Sequence, residues 1–187
     1  MITKNKIVKI IELANKCNEC ALHHFKEFDN KLVSYKYDNS PLTNADIKVN
    51  EIAVIGLQKL FPNVEIISEE LYNSKYIFKN KNYFWLIDPI DGTKEFINKS
   101  PNFTVNFALI KHNSPIFGLI AQPTTGTIWY NFNNKSWKLD KGQDFKNSKR
   151  IQCTEINYKK LRTLSSSNHR SNAVSYTHLR AHETFAN

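Results

Sequence analysis

Near the start of the chain, Ile7, Ile10, Ile11, Ala14, Cys17, Ala21 and Leu22 recur at three- and four-residue spacing, which places them on one stripe of an amphipathic α-helix. A second helix is predicted from Thr43, because residues 43–46 have the form of an acidic capping box. Its apolar positions are Ile47, Val54, Ile55, Leu57 and Leu60, and Pro62 stops it. Beyond Pro62 the period changes. Residues 64–68 and 83–87 are short apolar runs rich in β-formers, each leading directly into acidic side chains. Residues 103–110 alternate apolar with polar or small side chains, and H-N-S-P then turns the chain into residues 116–121, which predicts a meander. Residues 127–132 and 136–139, joined by an Asn-rich turn, add two more antiparallel strands. The order of elements predicts an α/β chain, without internal repeats or low-complexity linkers.

The sharpest local signal is W-L-I-D-P-I-D-G-T, residues 85–93, where an apolar strand runs into two carboxylates three positions apart. Pro89 is expected to keep Asp88 extended and to end ladder pairing, so that the chain turns and aims Asp88 and Asp91 into one mouth with the Ile90 carbonyl between them. Gly92 permits close backbone approach. Its amide and that of Thr93 can form an anion-receiving nest at the start of a helix expected near Lys94. Magnesium takes hard oxygen ligands and keeps waters and substrate phosphate in its shell, so a few carboxylates at a strand end suffice. I-I-S-E-E supplies more of them: Glu69 and Glu70 end the neighbouring candidate strand, placed to complete a shared site with Asp88. Two metals there could position a water and stabilise the leaving oxygen in phosphoester hydrolysis. Each piece has a plainer reading. D-P-I-D-G-T is also ordinary turn composition, S-E-E could be a solvated pair, and Asp46 could be only a helix cap. All three acidic features at a helix start and at strand ends, in this order, favour the site.

Composition changes little. The 187 residues are 41% hydrophobic, enough for one domain with a core or for part of a larger one. The charge of +9 comes from 26 Lys and Arg against 17 Asp and Glu, but the lysines are scattered, with no basic run or aromatic-interleaved stripe. A small anionic substrate suits that field better than nucleic acid. No apolar run approaches membrane-spanning length, and M-I-T-K-N-K-I-V-K-I has no h-region, so a cytoplasmic location is expected. Three cysteines argue for reduced thiols. Cys17, Cys20, His23 and His24 have zinc-capable side chains but fall within two turns of one helix without a second Cys/His pair, and are read as a helix face.

With these motifs in hand, the chain resembles the inositol monophosphatase superfamily, marked by an E-E segment followed by D-P-[IL]-D-G-T. K-Y-D-N-S-P-L-T-N-A-D (residues 36–46), I-I-S-E-E (66–70), W-L-I-D-P-I-D-G-T-K-E-F-I (85–97) and F-T-V-N-F-A-L-I (103–110) are most similar to its CysQ-type 3'(2'),5'-bisphosphate nucleotidase branch. The resemblance runs from the first helix to about His169, with Leu42 where the family more often has valine. It implies a layered α-β-α-β-α sugar-phosphatase fold. It further implies Glu69, Asp88, Asp91 and the Ile90 carbonyl as Mg2+ ligands, and Asp46 with Thr93 as the catalytic pair that activates water. Glu69, Ile90, Asp91, Gly92 and Thr93 are the implied substrate-binding positions, and Lys36 is a weaker candidate for attracting phosphate. The implied reaction converts adenosine 3',5'-bisphosphate to AMP and phosphate, a step of sulfate assimilation and phosphonucleotide recycling. Lithium sensitivity and homodimers are family corollaries. The alternatives are an inositol monophosphatase-type phosphatase of small phosphates, or a non-catalytic module that binds nucleotide or magnesium.

The family's W-D-x-A-A-G segment, whose aspartate completes the second metal site, has no counterpart here. Residues 174–184, V-S-Y-T-H-L-R-A-H-E-T, match one reading frame of a transposon-end sequencing adapter. The expectation is therefore a metal-binding portion over 1–173, cut short before the second domain is complete and inactive or nearly so, with a non-native tail over 174–187. His178 and His182 in that tail are not read as a metal site.

Overall fold

Helix α1, Lys4–Glu27, starts where Thr3 Oγ1 accepts a hydrogen bond from the Lys6 amide at 3.3 Å, which satisfies one of the first-turn donors. The structure, a computed structural model, describes residues 2–28, 34–35, 41–71 and 82–155. The buried stripe of α1 is the one its spacing predicts, with Leu13 and Asn18 added and Leu22 only half-buried. Helix α2, Asn44–Leu60, ends where the Phe61 amide donates to the Leu57 carbonyl at 2.8 Å, one residue before Pro62.

The face that α2 buries differs from the predicted one. Ile47 and Ile55 are 41% and 52% exposed, whereas Ala45, Asp46, Val49, Asn50, Ala53 and Leu57 are buried. Apolar residues ring this helix, so hydrophobicity alone does not mark its inner stripe; packing against α1 does. Small residues let α1 and α2 lie close together, and a Cβ added to Gly56 would stand 2.3 Å from Leu13 Cδ1. The helices run antiparallel, with Lys6 Nζ donating to the Leu60 carbonyl at 3.1 Å at one end and Cys17 packed on the Val49 carbonyl further along.

A two-residue ladder joins β1, Ser34–Tyr35, to β2, Pro41–Leu42, just ahead of α2. The main sheet has seven strands in chain order: β3 Glu65–Ser68, β4 Tyr83–Asp91, β5 Thr104–Lys111, β6 Ser114–Gln122, β7 Thr127–Phe132, β8 Lys135–Leu139 and β9 Lys149–Ile151. Every neighbouring pair is antiparallel except β3 and β4, which are parallel. Two-residue hairpins explain the Asn-rich turns. His112 and Asn113 between β5 and β6, and Asn133 and Asn134 between β7 and β8, all have positive φ, as type I′ turns require and as asparagine tolerates.

One sheet face carries the core. Trp85, Ile87, Val105, Phe107, Leu109, Leu119 and Ala121 are buried, with Trp85 between the rings of Phe61 and Phe117 at 5.1 and 5.9 Å. Leu86 and Ile120, on the opposite face, are 39% and 47% exposed. These elements form one compact unit, Met1–Gln152; the described residues of the second unit, 153–155, are exposed and without regular structure. Lys36, residues 161–165, where the family resemblance places a further strand, and the tail 174–187 lie outside the described residues.

Candidate metal and phosphate site

Parallel pairing of β3 with β4 brings the two acidic segments to the same end of the sheet. Ser68 pairs with Ile87, and the next amide, that of Glu69, donates to the Ile87 carbonyl at 3.0 Å. Glu69 therefore leaves its strand beside Asp88, as the two strand ends suggested from the sequence. Ser68 is fully buried, and its Oγ accepts from the Glu70 amide at 3.4 Å, turning the chain just after Glu69.

Pro89 does not end the ladder as expected. β4 continues to Asp91, and the pairing with β5 shifts register: Asp88 pairs with Asn106 and Asp91 with Thr104. Three steps along β4 match two along β5, so β4 carries one extra residue, a β-bulge over Pro89 and Ile90. The bulge explains the spacing of the motif. Residues three apart on a regular strand face opposite ways, but one inserted residue reverses that parity and puts Asp91 on the same face as Asp88. Proline has no amide hydrogen to donate and is tolerated at such a break. Asn106 also lies on this face, and its Nδ2 donates to Asp91 Oδ2 at 2.9 Å.

After Asp91 the chain reverses at Gly92, whose φ of +96° opens the short helix α3, Thr93–Ile97. A Cβ there would lie 3.1 Å from the Asn102 carbonyl, in addition to the strain of the left-handed backbone. Thr93, the first residue of α3, points its hydroxyl at two acceptors: the Ile90 carbonyl at 3.1 Å and Asp46 Oδ1 at 3.4 Å. Asp46 comes from the first turn of α2 and is buried. Its Oδ2 accepts from the Thr43 amide at 2.8 Å and the Thr43 hydroxyl at 2.5 Å. The same carboxylate thus caps α2 with one oxygen and presents the other to Thr93, so capping and site membership are not alternatives.

Electrostatics single out Asp88. Burial, followed by the charges of Glu69 and Asp91, pushes its pKa up from 3.8 to about 7, and a hydrogen bond with Glu69 and the charge of Glu70 act in the same direction. Its Oδ1 is buried without a hydrogen-bond partner among the described residues. A carboxylate held against like charges with an orphaned oxygen is what a hard cation would relieve. Among the described residues no three His, Cys, Asp or Glu side chains stand close enough to cage an ion as they are. Glu69, Asp88, Asp91 and the Ile90 carbonyl form an all-oxygen donor set that fits such a cation.

The inositol monophosphatase family model matches residues 4–187. The chain belongs to the inositol monophosphatase family. Among curated relatives it is 38% identical over 156 residues to the 3'(2'),5'-bisphosphate nucleotidase CysQ of Buchnera aphidicola, covering 82% of this chain and 57% of that protein. It is 35% identical over 134 residues to the enzyme of the same name from Escherichia coli, covering 72% and 54%. The chain therefore spans a little over half the length of these relatives. The crystal structure of CysQ from Bacteroides thetaiotaomicron, a bacterial member of this family, superposes with a TM-score of 0.75 at 25% identity, covering 98% of this chain and 70% of that one. A Thermotoga maritima IMPase gives 0.58 at 27% identity, covering 72% and 50%. The mixed α/β fold with its seven-stranded sheet is that of the family's phosphatases.

Two contributors went unread in the sequence. Thr43, which anchors Asp46, appeared only as a cap, and Asn106 appeared only as a polar position in an alternating strand. The helix-face reading of the Cys/His cluster matches the geometry: Cys17 is buried, with its thiol pushed up to about 12 by burial and then by Cys20, while His23 is exposed and pairs with Glu27 at 3.3 Å. Among the described residues no helix is long and apolar enough to cross a membrane.

Proposed function

We propose that the protein is a magnesium-dependent phosphomonoester hydrolase that removes the 3'-phosphate of adenosine 3',5'-bisphosphate, yielding AMP and phosphate in the cytoplasm. The observation that carries this reading is the convergence of Glu69 and Asp88 across parallel strands, with Asp91 turned to the same face by the bulge. Sequence likeness to proteins named for that activity supports the choice of substrate. Magnesium, when bound by Glu69, Asp88, Asp91 and the Ile90 carbonyl, supplies the charge that acidifies a water and stabilises the leaving oxygen.

The protein's own groups handle the proton. Thr93 has one hydroxyl hydrogen for two acceptors, Ile90 O and Asp46 Oδ1. Turning it toward Asp46 releases the Ile90 carbonyl and leaves the Thr93 lone pairs free to accept from the attacking water. Asp46, fixed through its other oxygen by Thr43, takes the Thr93 hydrogen as Thr93 takes one from the water, so the water's proton is relayed to Asp46. Gly92 lets the backbone approach the phosphate without a side chain in the way.

Because the chain spans only part of its relatives, the activity is proposed for the whole protein, and little turnover is expected of the 187 residues alone. The test is phosphate release with magnesium from this chain and from a chimera completed with the remaining length of the Buchnera relative. Release from adenosine 3',5'-bisphosphate well above release from inositol monophosphate supports the reading. The reverse order transfers the site to an inositol phosphatase, and nucleotide binding without release by the chimera points to a non-catalytic module.

A further inference from the structure

Asn106 lies on β5 directly opposite Asp88, yet its hydrogen bond goes to Asp91, at 2.9 Å from Nδ2 to Oδ2. The bulge makes this reach available by bringing Asp91 onto the face that Asn106 shares. Only the amide nitrogen can face a carboxylate attractively, so the side chain is oriented with its own Oδ1 turned away. That Oδ1 is buried and has no hydrogen-bond partner among the described residues. An unpaired buried carbonyl is a standing loss of stability. A side chain chosen for packing would not be asparagine.

We propose that Asn106 is a positioning residue: it pins one oxygen of Asp91 so that the other is presented, with Asp88, to a divalent cation. This rests on the cation-site reading above. Free rotation of an exposed aspartate would otherwise spread its oxygens over many orientations, and fixing one is the usual work of a group that hydrogen-bonds a metal ligand from behind.

The test uses Mn2+ as the probe, titrated into the 187-residue chain and followed by electron paramagnetic resonance, with thermal melting of each variant in metal-free buffer. Asn106→Leu removes both the donor and the unpaired carbonyl, so a Kd for Mn2+ raised about 10–100-fold is expected, alongside a melting temperature equal to or above the parent's. Asn106→Ala removes the donor without adding charge or bulk, and should weaken Mn2+ binding by a similar factor, which covers the case of an Asn106→Leu chain that does not fold. Parent-like Mn2+ affinity in either folded variant overturns the positioning role while leaving the cation site intact. Absence of Mn2+ binding by the parent overturns both the site and the role built on it.

Discussion

Replacing Asp88 with asparagine removes a charge that the metal-free fold holds at a disadvantage. Burial and the neighbouring carboxylates lift its pKa from 3.8 to about 7, so over that interval the folded chain keeps a proton that the unfolded chain releases. The stability tied to this group is present below about pH 4, declines as the pH climbs and is lost above about pH 7. The full shift corresponds to about 4 kcal/mol. Asp88 is only half-buried, and solvent screening reduces the effect to about 1–2 kcal/mol. Asp88→Asn is therefore expected to melt about 2–8 °C above the parent at pH 8 without metal, and to lose this group's share of the decline between pH 4 and 7. Magnesium at 100 times its Kd should stabilise the parent by about 2.7 kcal/mol and the variant far less. Calorimetric melts at pH 4, 6 and 8, with and without magnesium, read all of these. A variant less stable than the parent at pH 8 in metal-free buffer would refute the reasoning, because it would mean that Asp88 is held by attraction rather than strained by repulsion.

Three further outcomes follow from single contacts. Thr93→Val keeps the shape but removes the hydroxyl shared by Ile90 and Asp46; in the chimera it should lower kcat by about 10²–10⁴ with little change in KM for adenosine 3',5'-bisphosphate, and an unchanged kcat would remove Thr93 from the proton path. Asn18 is 5% exposed with neither amide atom hydrogen-bonded among the described residues, so Asn18→Leu should raise stability by about 1–2 kcal/mol in urea unfolding; a loss of similar size would show that its amide is satisfied. Gly56→Ala sets about 1 kcal/mol of helix propensity against about 1–3 kcal/mol of overpacking on Leu13. A net loss is expected in urea unfolding, relieved by Leu13→Ala in the double variant, and no relief would mean that the helices part without strain.

The parts legible in the sequence were those dictated by local pattern. The stripe of α1, the Thr43–Asp46 start of α2 and the two acidic strand ends follow from residue spacing and from caps that act within one turn. The inner face of α2 was not legible, because Ile47 and Ile55 are as apolar as what is buried and only α1 decides between the faces. Pro89 was read as a stop because proline cannot donate to a ladder, but a bulge needs no donor there, and a register shift depends on β5, which is distant in the sequence. β9 went unread because Lys149, Arg150 and Ile151 are all exposed and show no alternation. Asn106 was passed over for a related reason: its meaning lies in Asp91 one strand away.

The account stands most directly on where a cation binds. Crystals of the chain soaked in Mn2+, measured at the manganese edge, should show an anomalous peak in contact with Glu69, Asp88 and Asp91 carboxylate oxygens and the Ile90 carbonyl. A peak elsewhere, or none at these oxygens when Mn2+ binds in solution, would contradict the central claim.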